Sequence, residues 1–349
     1  MMSAGKVAII GGGRWARTIA VVLNELLPST VIISMYSPNN ADGLRNWMQK
    51  TGVSRVEVDS QWPKYNDYSC LDAVIVANAA RSHFSATISA LLAGIPTLVE
   101  KPFALTALDA NLLVEMARRL GVPLCAGHVL SFARYVKTFT DDIASCGSVK
   151  RINFIWSDPA TEVRHGEQKH YDPSISVVHD VFPHILSLLR AITTAIISYK
   201  GVTFERGGAK VKLDLQVGEF PCAVRLERNA PSRLRLIQVK TSAGSLALDF
   251  TTEPGCIRSG DHEKIGDLQW GSAPGPLHSM LESFLAIAAA GKCNDRRLSP
   301  LLGLEACRLT DLAAEDYRTE LATWLSSRLE QQIDEELRYA LTELVYSSV

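Results

Sequence analysis

For its first 126 residues the chain alternates short apolar runs with longer amphipathic stretches. Residues 6–10, 30–36, 71–77, 97–99 and 122–126 are compact runs rich in Val, Ile and Ala and read as buried strands. Between them, residues 15–27, 41–51, 82–93 and 108–120 have helical spacing, the first stopped near Pro28 and the third closed by Gly94. Strands and helices alternating at this interval predict a parallel, doubly wound sheet with right-handed crossovers, over residues 1–126. The texture changes after Gly127. A helix is expected over 132–144, a strand over 149–156, a polar irregular loop over 158–176 and a helix over 177–192. Strands follow at 195–199, 210–217, 222–228, 233–241 and 245–250, with Gly or Pro in the turns between them. They predict an open, mainly antiparallel sheet in an α+β domain over 127–349. From Leu277 onward the chain reads as helix. Leu321, Leu325, Leu329, Ile333, Leu337 and Leu341 form an apolar stripe expected to pack on the body of the protein, self-association being the alternative.

Composition narrows the class. At 349 residues the chain has room for two domains, and 47% hydrophobic with 21% charged residues fits an ordinary core. A net charge of −1 provides no basic field, so nucleic acid is not an expected partner. No run is long and apolar enough to span a membrane, and the N-terminus leads straight into a strand without a signal peptide. Seven cysteines are scattered without a CxxC pair, which points to reduced thiols and a cytoplasmic protein.

Gly11-Gly12-Gly13-Arg14-Trp15-Ala16 fits G-x-G-x-x-A after a strand and at the start of a helix. Gly11 permits the tight turn and Gly13 lets the backbone approach a pyrophosphate. Ala16 allows close helix–strand packing. This makes the N-terminal domain a Rossmann domain. NAD sites usually carry Asp or Glu after the second strand; here that place holds Ser37, followed by Pro38, Asn39 and Asn40. With no acid to repel a 2′-phosphate and Arg14 to attract one, NADP(H) is expected in preference to NAD(H).

Two further stretches carry chemistry. Residues 95–103 read IPTLVEKPF, a buried strand that ends in Glu100-Lys101-Pro102. Pro102 restrains the chain beyond Lys101 and aims its amine toward the carboxyl ends of the strands, where such sheets bind ligands. Asp180 and His184 stand four apart, on one helix face if Pro183 falls in the first turn. A histidine there can move the proton when a hydroxyl becomes a carbonyl, Asp180 can hold the imidazole or a substrate hydroxyl, and Lys101 can polarise the substrate oxygen. His179 projects about 100° away from Asp180 and ranks lower.

These residues resemble the Gfo/Idh/MocA oxidoreductases, the glucose–fructose oxidoreductase and inositol dehydrogenase family. The matching pieces are Gly11 to Ala16, AGIPTLVEKPFALT over 93–106, Gly127-His128 with Phe132, Tyr171-Asp172-Pro173, and Asp180 with His184. The resemblance implies hydride transfer at a carbon bearing oxygen, with Lys101, Asp180 and His184 as the catalytic set. It implies cofactor contacts from Gly11, Gly13, Arg14, Trp15, Ala16, Ser37, Asn39, Asn78, His83, Glu100 and Lys101. It also implies a small-molecule substrate and a homo-dimer or homo-tetramer.

The chain departs from the family pattern near the nicotinamide and substrate positions. Ser174 to Val178 replaces a glycine-rich approach, Val129 replaces an Asn after Gly-His, and Asn78-Ala79-Ala80 replaces Thr-Pro-Asn. An imine reductase and a non-catalytic nucleotide-binding protein are the alternative readings. His165 and His170 with Glu162 and Glu167 match no standard metal spacing, so no metal is expected. Trp156, Arg164 and Tyr171 are candidates for substrate contact, with ordinary packing as the alternative.

Overall fold

The computed structural model describes residues 5–164, 167–169, 175–328 and 333–346. In chain order it runs β1 (Gly5–Ile10), α1 (Arg14–Leu26), β2 (Val31–Tyr36), α2 (Ala41–Thr51), β3 (Val56–Asp59), β4 (Ala73–Val76), α3 (His83–Leu92), β5 (Thr97–Glu100), α4 (Ala107–Leu120) and β6 (Leu124–Gly127). There follow α5 (Arg134–Ser145), β7 (Val149–Pro159), β8 (Glu162–Arg164), β9 (Glu167–Lys169), α6 (Val177–Ile192), β10 (Ile197–Glu205), β11 (Lys210–Val217) and β12 (Phe220–Ala230). The chain closes with β13 (Leu234–Thr241), β14 (Ser245–Asp249), β15 (Cys256–Ser259), β16 (His262–Ile265), α7 (Pro276–Ala290), α8 (Pro300–Ser326) and α9 (Glu335–Tyr346).

Two compact units form: Met1–Phe132 with Pro274–Cys307, and Ala133–Ala273 with Arg308–Val349. The division differs from the expected 1–126 and 127–349, because the chain returns to the first unit after β16. The physical reason is apolar burial: Met280, Leu281, Phe284, Ile287 and Leu298 complete the same buried cluster as Ile19 and Leu23 of α1.

The first unit holds a six-stranded parallel sheet in the order β3-β2-β1-β4-β5-β6, the doubly wound order. Alternate residues of β1 enter opposite cores. Val7 and Ile9 pack with α1, α2 and α7; Ala8 and Ile10 pack with α3, α4 and the start of α8. Burial on both faces explains the near-continuous apolar runs. Strand β3 was not expected from the sequence; it is a four-residue edge strand whose Glu57 and Asp59 break the apolar pattern.

In the second unit eight strands run in the order β10-β11-β12-β7-β13-β14-β15-β16. All neighbours are antiparallel except β12 and β7, so the sheet is mixed and mainly antiparallel. One face buries Val211, Leu213, Val224, Leu226, Phe154, Ile237 and Val239. The other carries Lys212, Asp214, Arg225, Gln238 and Lys240, the alternation of a sheet covered on one side. The region expected to be an irregular loop includes the end of β7 and the two-stranded β8–β9 hairpin.

The C-terminal stripe does not belong to a single helix. Leu321 and Leu325 are buried on α8 and Leu337 on α9, whereas Ile333 is 57% and Leu341 41% exposed; Leu329 lies outside the described residues. Both helices dock on the turn between β10 and β11. Tyr317 donates to the Gly208 carbonyl at 3.0 Å, and Phe204 meets Tyr317 and Trp324 edge-on. Gly207 has φ +61°, and a Cβ there would lie 2.2 Å from the Glu336 carbonyl oxygen. Among the described residues no helix is long and apolar enough to cross a membrane.

The Gly207→Ala variant combines a left-handed backbone with a clash against backbone, so a loss of about 2 kcal/mol is expected. Denaturant unfolding checks this; an unchanged midpoint would mean that α9 does not close on this turn.

Candidate active site

At the carboxyl edge of the six-stranded sheet the backbone leaves no room for side chains. A Cβ on Gly11, whose φ is +137°, would lie 2.5 Å from the Ala77 carbonyl oxygen at the end of β4. One on Gly12 would lie 2.2 Å from Ser37 Oγ. Gly13 faces open space: nothing lies within 4 Å of its missing Cβ. It is the N-cap of α1, with no side chain capping the helix, and the first turn reads Arg14-Trp15-Ala16-Arg17. Uncapped N–H groups, a helix dipole and an open glycine form a cradle that fits a pyrophosphate. Ala16 is fully buried against the sheet.

The loop after β2 closes on this turn. Asn40 donates to the Gly12 carbonyl at 2.9 Å, Ser37 is buried against Gly12, and Asn39 is exposed. The nearest acid on the neighbouring strand, Asp59, accepts from the Gln61 N–H at 2.8 Å.

On β5, Glu100 is 4% exposed. Burial pushes its carboxyl up to about 7, against a downward pull from the Trp15 indole N–H, the Lys101 charge and the Lys101 backbone N–H. Its Oε1 has no hydrogen-bond partner among the described residues. Lys101 follows, half-buried, with a cis bond to Pro102. His83, at the start of α3, is buried with one ring nitrogen 2.7 Å from the Pro102 carbonyl and the other 3.2 Å from that of Asn78. Burial pulls the imidazole below its usual range against the upward pull of these carbonyls, and its two contacts set it between the Lys101-Pro102 turn and the loop after β4. His83 therefore braces the edge from within. His128 is 1% exposed, and burial lowers it to about 4.

In the second unit α6 carries Asp180 and His184. Ser176 caps this helix, its Oγ accepting from the His179 N–H at 3.3 Å and bonding His179 Nδ1 at 3.0 Å. Pro183 is accommodated inside the helix, and His184, one residue on, is half-buried. The His184 ring stacks on Trp156 of β7, with centroids 5.2 Å apart and planes 10° from parallel. Beneath Trp156 lies the Arg235 guanidinium, 3.8 Å from the ring centroid, ion-paired with Asp158. Trp156 in turn donates to Asp158 at 3.2 Å. Burial lowers Arg235 to about 10 despite Asp158, which leaves it charged at neutral pH. Asp180 receives Arg228 Nη2 at 3.4 Å.

The expected cofactor residues thus gather at one edge of the first unit, and Asp180 with His184 on one helix of the second. Arg235 and Arg228 were missed. Their signal is visible in the strand alternation: each Arg occupies an inward position, in phase with buried Ile237 and Val239, or with Val224 and Leu226. Trp156 is packed between His184 and Arg235 and is 8% exposed. Glu162 pairs with Arg233 at 3.0 Å. His165, His170 and Tyr171 lie outside the described residues, as do the side chains of Arg164 and Glu167. Among the described residues no group of three or more His, Cys, Asp or Glu could hold a metal.

Residues 5–128 match the family model GFO_IDH_MocA, described as "Oxidoreductase family, NAD-binding Rossmann fold". A D-apiose dehydrogenase from Paraburkholderia graminis is 46% identical over 119 residues, 34% of this chain and 31% of that protein. A 2,7-anhydro-N-acetylneuraminate hydratase from Mediterraneibacter gnavus is 26% identical over 138 residues, 39% of this chain and 35% of that protein. The chain thus spans about a third of the length of these curated relatives. In fold it is similar to a 3-ketoreductase from Actinomadura kijaniata solved with NADP and TDP-benzene: TM-score 0.73, 16% identity, 90% of this chain and 98% of that one.

The Glu100 carboxyl has a folded-state value near 7, above its ordinary value of 4.5, so the folded state favours its protonated form. The stability this group contributes is fully present below about pH 4.5 and is lost as pH rises through about 7; a displacement of that size is worth roughly 3 kcal/mol. Glu100→Gln should flatten the stability profile between pH 5 and 8, measured by unfolding. An equal slope in both proteins would place the titration elsewhere.

Proposed function

We propose that this chain, whose N-terminal unit is of the Gfo/Idh/MocA oxidoreductase family, is an NADP(H)-dependent oxidoreductase acting on a small polar, sugar-like molecule. The reaction is transfer of hydride to or from a hydroxyl or carbonyl carbon. The observation that carries the reading is the open, uncapped glycine turn at the start of α1, where a pyrophosphate fits, at the same carboxyl edge of the six-stranded sheet as the end of β5 that precedes Lys101. A phosphate cradle and a lysine held at one sheet edge suit a dinucleotide whose reactive end lies near an ammonium group.

Gly11, Gly13 and the α1 N-terminus would hold the pyrophosphate, with Ser37, Asn39 and Arg14 toward the adenosine ribose. Ser37 in place of an acid, and Asp59 turned back on Gln61, support the phosphorylated cofactor. The fold neighbour solved with NADP supports the same choice. A bound nicotinamide supplies or accepts the hydride. Lys101 steadies the substrate oxygen, His184 gives or takes its proton, and Asp180 keeps the imidazole oriented. Stacking on Trp156 limits the His184 ring to small movements, which suits a proton donor. The names of two relatives, D-apiose dehydrogenase and 2,7-anhydro-N-acetylneuraminate hydratase, support a sugar-like substrate. None of the seven cysteines is in a disulfide, which supports the cytoplasm; the family resemblance supports a homo-oligomer.

Titration with NADPH and NADH, followed by nicotinamide fluorescence, tests the cofactor. NADPH should bind more tightly, and a lower Kd for NADH would overturn the reading of the Ser37 loop. On a panel of sugars and keto-sugars, Lys101→Ala should lower kcat about 100-fold or more while the NADPH Kd moves little. Undiminished turnover in that variant would remove Lys101 from the chemistry.

A further inference from the structure

Three neighbouring strands of the first sheet end in buried polar atoms that nothing answers among the described residues. Beyond β4, Asn78 Oδ1 has no hydrogen-bond partner; at the end of β5, neither has Glu100 Oε1; beyond β6, neither ring nitrogen of His128 has one. Glu100 is the acid of the three, and it is buried. Its neighbour across the sheet is Gly127 of β6. The missing Cβ of Gly127 would lie 3.2 Å from Glu100 Oε1 and 3.3 Å from Glu100 Cα, so bare backbone makes room for the carboxyl. Glu100 Oε2 accepts the Lys101 N–H at 3.3 Å. A buried acid with one oxygen unanswered favours its protonated form, and burial pushes this carboxyl up to about 7.

The strand order sets what reaches this edge. The glycine turn follows β1, Ser37 follows β2 on one side of it, and β4, β5 and β6 lie on the other. A dinucleotide with its pyrophosphate at the turn and its adenosine toward Ser37 extends its nicotinamide over the ends of β4 and β5. We propose that Glu100 changes protonation with the oxidation state of the cofactor: a carboxylate beside the oxidised, positively charged nicotinamide, a neutral acid beside the reduced one. Glu100 is then the group that balances charge at this edge. The proposal rests on the reading of the first unit as a dinucleotide site.

Charge and protons balance. Glu100 gives its proton to solvent as the oxidised cofactor enters, and regains one from solvent once hydride has been delivered. This proton is separate from that of the substrate hydroxyl, so the overall stoichiometry of the oxidation is unchanged. A cation brought within about 6 Å of a carboxyl lowers it by about one to three pH units. An acid that starts near 7 is thereby carried across the neutral range, whereas an ordinary exposed carboxyl, already ionised, has no proton to give. The other titratable or charged groups around Glu100 are Lys101 beside it, His83 behind the Lys101-Pro102 turn, His128 after Gly127, and Arg14 and Arg17 in the first turn of α1.

The experiment is calorimetric titration of the full chain with NADP+ and with NADPH at about pH 7, in two buffers of different ionisation enthalpy, which counts the protons exchanged on binding. NADP+ should release roughly half a proton more than NADPH, because a group near 7 is about half protonated there. The adenosine half and its phosphates are the same in both cofactors and cancel in the difference. E100Q should bind both cofactors and erase the difference. Equal proton exchange with both cofactors in the wild type would overturn the proposal. So would a difference that survives in E100Q, which would assign the proton to Lys101 or another neighbour. A second measurement needs no variant: the infrared difference between the NADP+ and NADPH complexes should show a protonated carboxyl C=O band only with NADPH, displaced by 13C-labelled glutamate. Its absence from the NADPH complex, or its presence in both, would equally overturn the proposal. If neither cofactor binds, the dinucleotide reading itself fails and the proposal with it, an outcome distinct from binding with equal proton exchange.

Discussion

A charge withdrawn from water has to be answered where it lies, since an unpaired buried ion costs several kcal/mol. In the second unit two arginines, Arg228 and Arg235, rise from the strands that flank β7 and point to the covered side of the sheet. Asp158 answers one; Asp180 and Glu343 answer the other. These pairings fix α6 to the sheet and α9 to α6, with Trp156 and His184 stacked in a set order above Arg235. Glu100 is the counterexample in the first unit. It accepts the Lys101 backbone N–H at 3.3 Å, and burial pushes its carboxyl up to about 7.

The first unit obeys a steric constraint instead. Its cradle exists because side chains are missing at two places where backbone meets backbone or Ser37. The same geometry that forbids a Cβ at Gly11 brings the end of β1 against the end of β4. Gly13, by contrast, needs no room from its neighbours; its open side is where α1 presents uncapped N–H groups.

Much of this was legible in the sequence because it is local. The glycine turn, the strand ending in Glu100-Lys101, and Asp180 with His184 four residues on all lie within single elements. The parallel sheet followed from apolar runs that alternate with helical stretches. What escaped was short, polar or distant. The short strands β3, β15 and β16 are four residues each, with too little apolar pattern to register. Arg228 lies 48 residues from Asp180 and 115 from Glu343, a separation that no local pattern encodes. The inward phase of Arg228 and Arg235 on their strands was present in the sequence, but it marks a buried cation without naming its anion. The C-terminal leucines misled for a related reason: their spacing continues across a break between α8 and α9 that periodicity cannot detect.

The first unit is discontinuous in the chain, and this sets an order of events during synthesis. Its six strands are complete by Gly127, but the apolar face of α1 waits for Met280, Leu281 and Phe284 to be covered. By then the ribosome has already released all the strands of the second sheet. The nascent dinucleotide-binding half must therefore hold an uncovered hydrophobic surface through about 150 further codons, several seconds or more at ordinary elongation rates. A chain built this way completes its N-terminal unit only late in its own translation, after the strands of the second sheet have emerged.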